Sequence, residues 1–430
     1  MSKITQLLAR EILDSRGYPT VEVFIALDTG EMVTASAPGG TSTGKHEAIE
    51  IRDGDMARMG GRGVKKAVAA INDVIRPMLI GQDPTRQTGA DQILFNLDGT
   101  PNKSKLGANA ILPVSTAVCK AGAACVRMPM YRYLKEKYGL TQNLKVPTPI
   151  FNLINGGAHG AGNLDFQEFH VIPTTNKPFN AALQLGVEMF MALEQVLISK
   201  NAIHSVGVEG GFAPNLFTNL DALELLMEAM KRTPYAFGQD LFFGLDVAAN
   251  SIFKNGKYVI RDRQQPFSAK ELTDYYKDLN QKYHIFSLED PFAEDDWGAW
   301  KELTAELSDH VVIVGDDLLT TNKERLEKAV KEKSCTAILV KPNQIGTISE
   351  TVEVVKIAKD ANFQVIVSHR SGETNDDFIA DFAVGMGAQY TKFGAPIRGE
   401  RVAKYNRLLQ IESELTPIVS PTTPLPAPTQ

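Results

Sequence analysis

Apolar and polar positions change rhythm twice along this 430-residue chain. Residues 17–35, GYPTVEVFIALDTGEMVTA, alternate apolar and polar side chains about Asp28-Thr29-Gly30, which predicts two antiparallel strands joined by a tight turn. From Gly63 the apolar spacing becomes helical, in VKKAVAAINDVIRPML and again in the alanine-rich stretch 108–136. Strands followed by helices predict an α+β unit, taken as residues 1–140. Val146-Pro147-Thr148-Pro149 then favours extended chain and marks a boundary.

The second rhythm is a recurrence of short apolar runs, each stopping at a polar or charged residue: IFNLIN155, DFQE168, FFGLD246, IFSLE289, VVIVGDD317, AILVK341, QVIVSHR370 and QYTK392. After a longer first interval, the ends at 246, 289, 316, 341, 369 and 392 are spaced by one strand plus one helix. Segments between them, such as 323–333 and 349–360, carry apolar residues at helical spacing. Buried rather than alternating strands predict a parallel sheet, and a closed (β/α) barrel over 141–415 is the most economical form. Spacing alone also admits an open doubly wound sheet. Residues 416–430, TPIVSPTTPLPAPTQ, have no periodicity and read as a flexible tail.

Composition narrows the function. With 43% hydrophobic and 22% charged residues and a net charge of −6, the chain has no polyanion-binding bias, so nucleic acid is not an expected partner. The least polar window, Leu106 to Cys119, contains Asn109, Pro113 and Ser115, and predicts no membrane span. Arg10, Glu11 and Asp14 interrupt any leader-like apolar run, and the 3 cysteines lack metal or disulfide spacing, which together suggest a cytoplasmic protein with reduced thiols.

In a barrel, residues that end strands converge on one mouth. Asp246, Glu289 and Asp316 end three successive predicted strands, and burying such like charge unpaired is costly. An all-oxygen carboxylate set suits a hard dication, Mg²⁺ or Mn²⁺. Lys341, His369-Arg370-Ser371 and Lys392 then supply cations facing it, a combination suited to an anionic substrate, and a lysine among cations can shed its proton to become a base. Any one such acid is more often a loop cap, and His369 alone reads as structural. Six positions keeping strand–helix spacing are harder to explain that way. Gly39 to Lys45 nearly matches a nucleotide P-loop, but His46 stands where the magnesium-binding Ser or Thr is required, leaving a glycine-rich turn or a mobile lid. NGGAHGAGN, 155–163, is no dinucleotide fingerprint and could be a flap carrying His159. Trp297 and Trp300, beside acidic residues 294–296, are expected to pack a helix onto the barrel.

The strings AREILDSRGYPTVEV, FNLINGG, QEF, VEGGFAPN, SLEDP, VGDDLLTTN, LVKPNQIGT, SHRSGET and RVAKYNRLLQIE, in this order over nearly the whole chain, resemble the enolase family. The resemblance implies an N-terminal α+β capping domain with a lid, and a (β/α)8-type barrel of the variant order ββαα(βα)6. It also implies a homodimer or an octamer of dimers, and two Mg²⁺ per site. It implies dehydration of 2-phosphoglycerate to phosphoenolpyruvate. Asp246, Glu289 and Asp316 match ligands of the first Mg²⁺, and Ser42 a ligand of the second. Lys341 matches the base for the C2 proton, Glu209 the acid for the leaving hydroxyl, and Glu168 its paired carboxylate with Gln167 beside it. Arg370 and Ser371 match phosphate contacts, while His159, His369 and Lys392 match substrate or transition-state contacts.

The expected consequence is that Glu168 raises the pKa of Glu209 so that it holds a proton near neutral pH. Departures from the family pattern stand at Gly39, which would loosen the lid, at Val208 before the acid, at Asn250, and at Phe393 beside Lys392. Within the same superfamily an acid-sugar dehydratase is an alternative. Outside it, a catalytically weak homologue kept for binding other proteins is another.

Overall fold

The computed structural model describes residues 2–41, 44–160 and 164–416; Ser42 and the tail from 417 lie outside the described residues. Three antiparallel strands open the chain: β1 Ile4–Leu13, β2 Pro19–Leu27 and β3 Met32–Ser36, in the order β1-β2-β3. The β2–β3 hairpin turns at Gly30, whose φ of 95° suits glycine. β1 was not anticipated, because its polar residues fall on the exposed side of an edge strand and interrupt the apolar run. Ile4 and Leu7 face inward.

The helical turns over 65–79 include a π-helical segment, Ala70–Ile75, where the Asn72 side chain pairs with both backbone groups of Ala9 on β1. The stretch 108–136 is two helices, Ala108–Cys125 and Met130–Tyr138, separated at Pro129. The first is buried along most of its length and inserts between the capping sheet and the barrel. By length and composition, it and Phe179–Ser199 are long and apolar enough to cross a membrane, which corrects the shorter window read from sequence. Burial within the fold accounts for the apolarity of the first.

Eight strands close into a barrel: β4 Thr148–Asn155, β5 Glu168–Pro173, β6 Leu241–Asp246, β7 Ile285–Glu289, β8 Val312–Gly315, β9 Ala337–Val340, β10 Gln364–Ser368 and β11 Tyr390–Lys392. Around the ring the order is β8-β9-β10-β11-β4-β5-β6-β7. Two helices follow β5 and one longer helix follows each later strand, giving ββαα(βα)6. The sheet is not wholly parallel, because β5 pairs antiparallel with both β4 and β6. Glu168 therefore begins its strand rather than ending it. The reversal still leaves it at the same rim, laterally paired with Asn155 on one side and Asp246 on the other.

Local signals set the helix starts. Thr218 with Asp221 and Ser268 with Glu271 form capping boxes, and Asn322 and Thr347 cap two later helices. Trp300 is fully buried on the helix Trp297–Leu307 and donates to the Ala293 carbonyl, anchoring that helix as expected. The barrel interior is filled by a small separate core including Ile150, Ile172, Val314, Leu339, Ile366 and Tyr390. Above that packing, the carboxyl-end rim carries the ionisable groups.

Candidate active site

The rim holds a pocket. Its walls include eleven residues singled out in the sequence: His159, Gln167, Glu168, Glu209, Asp246, Asp316, Lys341, His369, Arg370, Ser371 and Lys392. Glu289 lies just behind them. Lateral strand pairing explains the convergence, since Glu168 aligns with Asp246 and Asp246 with Glu289, while Asp316 immediately follows β8.

Two lysines neutralise these acids. The Lys392 ammonium lies 2.8 Å from both Glu289 oxygens, 3.1 Å from Glu168 and 3.4 Å from Asp246. Lys341 pairs with Asp316. Burial disfavours the Lys392 charge, but Glu168, Glu289 and Asp246 outweigh it and hold the ammonium well above its usual pKa. Negative charge still exceeds what the lysine compensates. Burial pushes both Asp246 and Glu289 up despite Lys392, with the charges of Glu168 and Asp316 adding at Asp246 and those of Asp246 and Asp316 at Glu289. Asp316 goes down, because Lys341 and Lys392 outweigh its burial. An all-oxygen donor set with surplus negative charge fits a hard dication.

A second acidic group also gathers here, with Asp290, Asp316 and Asp317 bringing oxygens within 4.8 Å of one another. Asp290 is already committed, since its two oxygens accept the backbone N–H groups of Asp316 and Asp317. It thereby fixes the turn that presents Asp316. Asp317 accepts from Asn250, whose side-chain oxygen in turn accepts the Glu294 N–H, so this departure from the family pattern ties three rim loops together.

Two protonation states differ from the expectation. Burial favours a neutral Lys341, but the Asp316 charge outweighs it and the repulsion from Arg370 and Lys392, so the ammonium is held above its usual pKa. Likewise burial and Glu168 push Glu209 up, yet His159 and His369 bring it down to about 2. His159 bridges the two carboxylates, with Nδ1 3.1 Å from Glu168 and 3.5 Å from Glu209. Burial opposes its charge, but Glu209 and Glu168 raise its pKa, so the proton of this cluster rests on the imidazole.

His369 is different. Its Nδ1 accepts from Arg401 at 2.7 Å; an arginine can only donate, so the ring proton sits on Nε2, which lies 3.2 Å from a Glu209 oxygen without hydrogen-bond alignment. Burial lowers His369 to about 4, with Arg401 reinforcing it and Glu209 only partly opposing it.

These shifts set an acid limit on stability. Folded His369 stays neutral down to about pH 4, whereas the unfolded imidazole protonates near its ordinary value of 6.5. Folded Glu209 stays ionised down to about 2, against 4.5 unfolded. In both cases the unfolded state binds more protons, so stability is complete above these unfolded values and is lost as pH falls. His369's share, on the order of 2–3 kcal/mol, is expected to be lost between pH 7 and pH 4, so the urea midpoint of the unmodified chain should fall relative to that of His369→Gln over that range. Parallel midpoints for the two chains would contradict the assignment.

Glu47 was missed in the sequence. It reaches in from the capping domain and pairs with Arg370 at 2.8 and 3.2 Å, both side chains being buried. Its partner is 323 positions away, and nothing local to TGKHE marks it. Gln344 joins the two halves by donating to Asp316 and Glu47. Glu47→Ala would remove the carboxylate bonded to both terminal nitrogens of the buried Arg370 guanidinium and is expected to cost about 3–5 kcal/mol in thermal or urea unfolding. A loss below about 1 kcal/mol would show that the pair is effectively solvated.

The start of the lid segment is docked. Gly39 and Gly372 exchange backbone hydrogen bonds, Arg16 donates to the Gly40 carbonyl, and the Thr41 N–H donates to Ser371. A Cβ at Gly39 would come within 3.0 Å of Arg16. The glycine there thus permits close approach rather than loosening the lid. Val208 presents its backbone to the site, its carbonyl accepting from Arg401. Phe393, next to Lys392 in the chain, is fully buried with its ring against Tyr405.

A family model described as the enolase C-terminal TIM barrel domain matches residues 143–420, and one for the enolase N-terminal domain matches residues 4–134. The chain belongs to the enolase family. The two matches correspond to the capping sheet with its helices and to the closed barrel. An enolase-family barrel carries dehydratase or lyase chemistry, and members of the superfamily typically use Mg²⁺. The carboxylates described above have the donor chemistry such an ion requires.

Proposed function

We propose that this enolase-family chain catalyses the reversible, Mg²⁺-dependent dehydration of 2-phosphoglycerate to phosphoenolpyruvate. One observation carries the reading. In the eight-strand ring β9 and β5 stand four strands apart, so Lys341 faces Glu168 and the His159-bridged Glu209 across a single buried mouth. A base on one side of a substrate and a proton store on the other is the arrangement an elimination needs.

The C2 proton lies next to an ionised carboxylate and is very weakly acidic, since its loss creates a doubly charged enolate. Mg²⁺ held by Asp246, Glu289 and Asp316, with Ser42 toward a second ion, would supply positive charge to that enolate. Lys341 takes the C2 proton. Lys392, held between β11 and the acids, is placed to attract the substrate carboxylate. Arg370, fixed by Glu47, and Ser371 present donors to phosphate. Hydroxide leaves poorly without a proton. The store for it is the Glu168–His159–Glu209 bridge, in which His159 carries the proton and Glu209 passes it on.

The test follows absorbance of the conjugated enol product. Purified chain with 2-phosphoglycerate and Mg²⁺ is expected to generate it, a chelator is expected to stop it, and re-adding Mg²⁺ to restore it. Unphosphorylated sugar acids are expected to be inert, because Arg370 and Ser371 would have no phosphate to bind. Turnover of a sugar acid without turnover of 2-phosphoglycerate would replace this reading with the acid-sugar dehydratase.

A further inference from the structure

We infer that Lys392 and Lys341 are resident counter-cations of the metal ligands, and that a dication enters this site by exchanging with their ammonium groups. This rests on the metal assignment proposed above and extends it to how the ion is admitted.

The geometry is that of a cation cage already filled by protein. Lys392 has three N–H donors and stands among oxygens from Glu289, Glu168 and Asp246, with Glu289 engaged through both oxygens. Lys341 takes Asp316. All three proposed ligands of the ion are therefore paired with one or other lysine. The remaining side-chain contacts on these acids, Gln167 to Asp246 and Gln344 to Asp316, are neutral and cannot replace the charge.

Four carboxylates buried at neighbouring strand ends would be strongly destabilising without compensation, so the fold needs positive charge there whether or not an ion has arrived. Carboxylate oxygens bind Mg²⁺ at about 2.0–2.1 Å. Each oxygen keeps a second lone pair, so the competition is one of charge: a dication on Glu289 repels an ammonium bonded to both of its oxygens, and Lys392 is drawn off as the ion seats. Ion binding is thereby coupled to the positions of the two lysines that line the substrate pocket.

The experiment titrates Mg²⁺ alone into the full chain, without substrate, by calorimetry at pH 8, and reads thermal midpoints with and without the ion. Lys392→Met is expected to bind Mg²⁺ at least about tenfold more tightly than the unmodified chain, because a like charge has been removed from the cage. It is also expected to melt lower without Mg²⁺ and to gain more from it. Lys392→Arg keeps the charge and should stay within about threefold of the unmodified affinity. Should Lys392→Met fail to fold, Lys341→Met tests the same point at Asp316, with a smaller tightening expected. Unchanged or weaker Mg²⁺ binding by the folded Met variant, or equal tightening by Lys392→Arg, overturns the exchange. If the unmodified chain neither binds Mg²⁺ nor is stabilised by it, the metal assignment fails and the exchange with it; binding by the unmodified chain without tightening in the variant sinks the exchange alone.

Discussion

Lys341→Ala is expected to lower kcat for 2-phosphoglycerate by about 10⁴-fold while Mg²⁺-dependent binding of the substrate persists. The side chain follows β9 at the mouth and has its ammonium against Asp316, so alanine removes a reacting group without opening the barrel interior. In the proposed reaction, the protonated form that Asp316 favours would return a proton to C2 in the hydration direction, and the dehydration direction would use the same group after it has lost that proton. Exchange of the C2 hydrogen with solvent should vanish together with turnover. Undiminished turnover in the variant would exclude Lys341 as the base.

Glu209→Gln should separate the two halves of the reaction. Turnover is expected to fall by about 10³-fold, because the amide cannot relay the His159 proton to the leaving hydroxyl. Exchange of the C2 hydrogen is expected to continue, since Lys341 lies across the mouth on β9. Glutamine preserves volume and can still meet the Asn152 amide that now donates to Glu209 at 3.1 Å, so gross misfolding is not the expected cause of the loss. Loss of exchange and turnover in equal measure would contradict the separate roles. Retention of both would remove Glu209 from the chemistry.

The barrel was legible because its strands are buried on both faces, so each apolar run stands out and each stops at a polar or charged residue. The direction of β5 was not. QEFHVIP can be read as strand in either sense, and only the antiparallel ladders to β4 and β6 decide that Glu168 begins it. β1 was hidden by the charges of an edge strand, and the gap between the two helices in 108–136 by the apolar residues on either side of it.

Within the site, residue identity could be read from position at strand ends, but protonation could not. Whether Glu209 or His159 holds the proton depends on a bridge between the loop after β4 and the loop joining the two helices that follow β5. The tautomer of His369 is set by Arg401, which belongs to the last helix. Glu47 was invisible for a related reason, since its meaning comes entirely from Arg370 in the other domain. Gly39 was misjudged because a glycine's freedom and its small size give the same letter; the neighbouring Arg16 shows that size is what the position uses.

The claim on which the account stands is that one hard dication is shared by acids from three separate strands. Crystals of the full chain soaked in Mn²⁺, whose anomalous scattering identifies it, test this directly. The account predicts a peak bonded to oxygens of Asp246, Glu289 and Asp316 at about 2.0–2.3 Å, with Lys392 drawn off Glu289. A peak seated instead between Asp290 and Asp317, or carboxylates still closed around Lys392 with no ion at saturating Mn²⁺, would contradict it.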